Sequence, residues 1–128
     1  MKMYYVSSYY LKENKALEFQ QWLLGEEASQ IFADVEKETG MHYMDSFWPI
    51  LGFGEYDVED WWEVPNWATL DTIRDSKGMD KLFSRTVELG FYEPSRTQST
   101  RMMRSTREVK IMEPAKKKEK EKEKKNKK

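Results

Sequence analysis

The sequence predicts an α+β fold with the element order β-α-β-β-α-β, a split βαβ plan that closes a four-stranded antiparallel sheet. Three observations carry this reading. An aromatic, β-branched run opens the chain, two separate stretches show helical apolar spacing, and a glycine-containing loop between them joins two further strand-like runs.

Residues 4–11 form the first strand: Tyr4, Tyr5, Val6, Tyr9 and Tyr10 place large side chains on both alternating faces, so cover is needed on both sides. A polar break follows, and Asn14 is positioned to cap one long helix over 15–38. Its apolar stripe is Leu17, Leu24, Ala28, Ile31 and Val35, widened by Trp22 and Phe32, and Gly40 supplies the stop.

Residues 41–50 read as the second strand, with Pro49 marking an edge or a turn, and Gly52 and Gly54 hinge the loop into a return strand over 56–64. On that strand Tyr56, Val58, Asp60, Trp62 and Val64 share the face predicted to be core. Asp57, Glu59, Trp61 and Glu63 share the wetter one. Asn66 is the N-cap candidate of a second helix with Trp67, Leu70 and Ile73 inward. A break is expected at 76–78, after which Met79, Leu82, Phe83 and Val87 resume the helical period until Gly90. The alternation of Val109 and Ile111 predicts a last strand within 99–112.

The chain has 128 residues, no Cys and no apolar run near the ~18 residues of a membrane span, so the expectation is one soluble domain over 1–112, without a membrane partner, and a tail over 113–128. The first residues enter a strand pattern without an apolar leader, which predicts a cytoplasmic protein. The overall charge of −1 conceals two opposite halves. Residues 1–94 hold 8 Lys and Arg against 18 Asp and Glu, whereas residues 95–128 hold 14 against 5. The tail is Lys- and Glu-rich with almost nothing to bury, and is therefore expected to be disordered.

The opening from Met3 through Leu11, followed by Ala16, Leu17, Phe19 and Trp22, resembles the dimeric α/β-barrel superfamily, which includes antibiotic-biosynthesis monooxygenase, EthD-like and NIPSNAP-like proteins. The run from Tyr56 through Trp62 to Leu70 resembles that superfamily's third strand and second helix. The resemblance implies a ferredoxin-like subunit that pairs its sheet with a second copy's sheet, making a homodimeric barrel with a small-ligand pocket between each sheet and its own helices. The residues independently favour such a pairing. Two helices cover one face of a sheet that is aromatic on both, and a second copy covers the other by the same surface. The superfamily has haem-binding members with a histidine ligand, but no haem motif matches around His42, and no cofactor is expected.

Candidate chemistry is sparse. His42, the single histidine, is a side chain able to titrate near neutrality and a candidate general base; with no second His or Cys beside it no metal site is expected, and a hydrogen-bonded structural role competes. On alternation His42 shares a face with Met44, Ser46 and Trp48. Asp60 is the second acid–base candidate if burial raises its pKa, against the reading that its carboxylate reaches water at a frayed edge. Tyr5, Trp48, Trp62 and Trp67 are the expected ligand-binding residues, since their rings have a polar edge and suit planar organic molecules, although core and interface filling also explains them. Ser7, Ser8 and Ser46 add hydroxyls.

These readings converge on a small-molecule-binding dimeric barrel protein acting on an apolar or aromatic compound. The resemblance implies a cofactor-independent monooxygenase as an alternative. A second alternative is a non-enzymatic interaction module that binds RNA or an acidic protein through its tail, with Arg96, Arg101, Arg104 and Arg107 as a further anion-binding cluster. Nucleic acid is the weaker partner, because Glu119, Glu121 and Glu123 dilute the tail's charge and no aromatic is interleaved for stacking.

Overall fold

Aromatic and β-branched side chains make Met3–Tyr9 a central strand, β1, of the computed structural model, which describes residues 2–106. β1 pairs antiparallel with β3 (Val58–Val64) on one side and β4 (Ser99–Arg104) on the other, and β2 (His42–Phe47) joins the outer edge of β3. The sheet order β2-β3-β1-β4 is the ferredoxin-like order. Met3, Tyr5, Ser7 and Tyr9 lie on the face that receives the helices, opposite Val64, Trp62, Asp60 and Val58 of β3.

The core sits between that face and α2 (Glu26–Thr39), where Ala28, Ile31, Phe32 and Val35 pack on Met3, Trp62 and Val64. Burying each such side chain contributes about 1.5–3 kcal/mol, so this layer is the fold's main support. A smaller aromatic cluster gathers Tyr9, Phe19, Val58 and Phe91 at the other end of the sheet.

The single helix expected over 15–38 is two. α1 (Ala16–Leu23) ends at Leu24, and Gly25 takes an extended conformation (φ −85°, ψ 174°) to start α2. The break turns α1, so that Phe19 is buried against Tyr9 and Phe91 while Leu17 and Leu24 of the expected stripe are exposed. Asn14 does not cap: it has a positive φ of 64°, and Lys15 precedes the helix. Gly40 closes α2 in the left-handed conformation, as expected (φ 81°).

The second helical region also divides, into α3 (Thr69–Ile73) and α4 (Lys77–Glu88). Asn66 accepts from the Thr69 N–H through its side chain, tightening the turn into α3. The break falls earlier than expected. Ser76 is the N-cap of α4, its hydroxyl accepting from the Met79 N–H at 3.1 Å, and Gly78 lies inside the helix. Among the described residues the last strand is β4, inside the expected 99–112 range; Val109, Ile111, Arg107 and the 113–128 tail lie outside the described residues. No helix among the described residues is long and apolar enough to cross a membrane.

Among the described residues no helix lies on the other face of the sheet. Trp61 stands there between Tyr4 and Phe47, ring centroids 5.8 Å from each, and the Glu59–Arg101 ion pair (3.1 Å) reaches from β3 to β4 across β1. Phe47 and Met103 are exposed.

Candidate functional site

β1 and β3 are paired in a register that sets Tyr9 and Asp60 near each other on the helix side of the sheet, and the Tyr9 hydroxyl donates to Asp60 Oδ2 at 2.8 Å. β2 contributes from the opposite edge. Its ladder with β3 shifts between Tyr43 and Asp45, and this bulge places Ser46 beside Asp60, on the face of Tyr43 and Trp62. Strict alternation had put Ser46 with His42. The extra residue reverses the side on which the rest of the strand presents its side chains.

The result is a buried chain of hydroxyls around one carboxyl. Ser46 Oγ donates to Asp60 Oδ1 at 2.6 Å, and the Tyr43 phenol is hydrogen-bonded to Ser46 Oγ. Phe32 of α2 stacks on the Tyr43 ring with centroids 3.8 Å apart, holding that end of the chain. Asp60 is 6% exposed, so its carboxylate does not reach water at a frayed edge. Burial pushes its pKa up from 3.8 to about 6, against the opposing pull of the Ser46 and Tyr9 hydroxyls, which favour the charged form. The Tyr9 phenol is raised well above its ordinary value by burial and by the neighbouring Asp60, and Tyr43 is raised chiefly by burial.

This carboxyl forms part of the wall of a cavity of about 150 Å³ between the sheet and α4. Its floor is Tyr5, Tyr9, Asp60 and Trp62; its roof includes Leu82 and Phe83. Thr100 of the edge strand β4 also lines it and is exposed, so the cavity opens towards that edge. The site therefore joins a space lined by rings and neutral polar groups to one buried acid with a raised pKa.

Of the six residues singled out from the sequence, the structure brings Tyr5, Asp60 and Trp62 together at this cavity. The other three lie elsewhere. His42 is exposed at the start of β2, where its Nδ1 hydrogen-bonds Glu36 Oε1 at 2.9 Å, and it does not line the cavity. Trp48 packs edge-on against Phe19, and Trp67 is 59% exposed beside Met3 and Met102. Arg96 lies over the Tyr10 ring at 3.4 Å and Arg101 pairs with Glu59, so these two members of the expected basic cluster engage separate partners. Tyr9 and Tyr43 were not singled out as site residues. For Tyr9 the available signal was its two-residue alternation with Tyr5 and Ser7; for Tyr43 there was none, because its place depends on the bulge.

Among the described residues no group of three or more His, Asp or Glu is placed to hold a metal ion. No protein-family model matches the chain, and no curated protein matches it in sequence. Solved structures do match in fold. An uncharacterised NIPSNAP domain protein from Burkholderia xenovorans superposes with a TM-score of 0.57 at 14% identity, over 83% of this chain and 95% of that one. A dabb family protein with a ferredoxin-like fold from Mesorhizobium loti gives 0.55 at 16% identity, over 81% and 96%. A dimeric protein of unknown function and ferredoxin-like fold from Bacteroides fragilis gives 0.55 at 6% identity, again over 81% and 96%. The chain is thus ferredoxin-like in fold, similar to NIPSNAP and dabb proteins.

Proposed function

We propose that the protein binds a small organic molecule in the cavity between its sheet and α4, and that Asp60 exchanges a proton with that ligand. The observation that carries this is the Asp60 carboxyl itself, which is buried yet borders a ring-lined cavity, with its pKa pushed up to about 6 by burial. A carboxyl that only filled the core would be replaced at lower cost by an apolar side chain, because burial disfavours its charged form. Placed in a cavity wall beside Tyr5 and Trp62, it can orient a ligand and serve as its acid or base.

Filling the cavity tests the reading. Single-ring aromatic compounds should raise the melting temperature of the unaltered protein, and replacing Thr86, which lines the cavity from α4, by Leu should leave the fold intact and abolish that rise. Equal rises in the two proteins would place binding elsewhere.

The functional unit in this proposal is a homodimer, in which two copies cover each other's helix-free sheet face through Tyr4, Phe47 and Trp61. The dimeric Bacteroides fragilis protein of like fold and the aromatic character of the uncovered face support it.

A further inference from the structure

We infer that the ligand of this cavity is a small aromatic compound carrying a basic nitrogen, bound as its cation against the Asp60 carboxylate. This rests on the proposal that the cavity is a binding site and adds the chemical class. Among the described residues that line the cavity, Asp60 is the one with a formal charge at neutral pH. The rest are rings and aliphatic groups, such as Tyr5, Trp62 and Phe83, or neutral polar groups, such as Ser7, Thr86 and Gln98.

The asymmetry of that wall selects the ligand. An anion would meet a buried carboxylate with no cation to offset it, and repulsion inside a low-dielectric cavity is severe. A neutral aromatic molecule would fill the space and leave the acid's charge uncompensated. A protonated nitrogen supplies the missing counter-charge, and the rings of Tyr5, Trp62 and Phe83 in the lining are available for cation–π attraction. Coordination capacity remains as well: Tyr9 and Ser46 each donate to one carboxylate oxygen, and a carboxylate has about four acceptor positions, so about two are open. Both neighbours are donors, oriented for the charged form of the acid, while none of the described residues lining the cavity is cationic.

Size sets the other limit. A cavity of about 150 Å³ is close to the space that admits benzene in engineered apolar sites, so one six-membered ring with a short amino or amidino substituent is the class that fits.

The groups that face the carboxyl from neighbouring elements also determine how binding depends on pH. Tyr9 on β1 and Ser46 on β2 contact it, Tyr43 sits one hydroxyl further, and α4 presents Met79, Leu82, Phe83 and Thr86, none of which carries charge at neutral pH. Affinity for the cation should therefore follow the ionisation of Asp60, falling as the medium is acidified below about pH 6.

Calorimetric titration of the full chain with benzylamine, benzyl alcohol and benzoate at pH 7.5 tests the assignment. Benzylammonium should bind roughly tenfold or more tighter than the alcohol, with benzoate weakest. That preference should be lost in Asp60→Asn, and in the unaltered protein at pH 4.5, a measurement that stands if the variant does not fold. Alcohol binding as tightly as the ammonium, or benzoate binding tightest, overturns the cationic class while leaving the cavity as a ligand site. Binding of none of the three overturns both.

Discussion

Asp60 concentrates the energetic tension of this molecule in one side chain. Its pKa is raised to about 6, so between roughly pH 4 and 6 the folded protein retains a proton that the unfolded chain releases. The stability associated with that group is present below about pH 4 and lost as the pH rises through 6. Asp60→Asn, which keeps the shape and cannot ionise, should flatten this decline. Urea denaturation across the range should show the variant gaining on the parent by about 2 kcal/mol between pH 4 and 7. A parent whose stability is level over that interval would mean that the carboxyl is better solvated than its burial indicates. Tyr9→Phe removes one of the two donors that favour the carboxylate, so the parent's decline should shift to higher pH in that variant.

Elements are positioned here by small residues at crossings. Gly78 looks like a helix breaker in sequence, yet it lies in the first turns of α4, where that helix meets α2. A β-carbon at Gly78 would sit 2.7 Å from Val35 Cγ2 and 3.0 Å from the Val35 backbone nitrogen. Helix propensity alone would make Gly78→Ala stabilising by about 1 kcal/mol. The contact with backbone cannot relax by a side-chain rotation, so overpacking wins and the variant should be less stable by about 1–3 kcal/mol. Chemical denaturation decides between the two signs. Ser76 and Glu38 reinforce the same junction, because Glu38 Oε2 accepts from both the Ser76 hydroxyl (2.5 Å) and the Gly78 N–H (3.0 Å).

At the scale of the whole molecule, one sheet face is covered by helices and the other carries Trp61 between Tyr4 and Phe47 with nothing of the described chain over it. The homodimer proposal makes that face the interface. Sedimentation of the unaltered protein at micromolar concentration should give a dimer, and Phe47→Glu, which sets a charge at an exposed position of β2, should give a folded monomer. A monomeric parent would overturn the homodimer, and a dimer indifferent to Phe47→Glu would move the interface to another surface. Ligand binding in the monomeric variant separates this proposal from the cavity, which lies on the opposite side of the sheet.

By itself, the sequence determined the order of the elements, the antiparallel four-stranded sheet and the inward face of β3, because strand and helix periods are local properties that composition and spacing record. It also identified Tyr5, Asp60 and Trp62 as residues to watch, since two-residue alternation places an acid among apolar neighbours on β3 and rings on both faces of β1. What only the tertiary structure decided depends on residues distant in sequence. The break at Gly25 turns Phe19 inward, the bulge in β2 carries Ser46 and Tyr43 to Asp60, and strand pairing brings Tyr9 to the same carboxyl across fifty-one positions. The roof of the cavity comes from α4, whose approach is set by the absence of a side chain at Gly78. Periodicity reports which way a side chain points along its own element; a one-residue insertion in a strand reverses that direction at little local cost, and only the packed neighbours make one register lower in energy than the other.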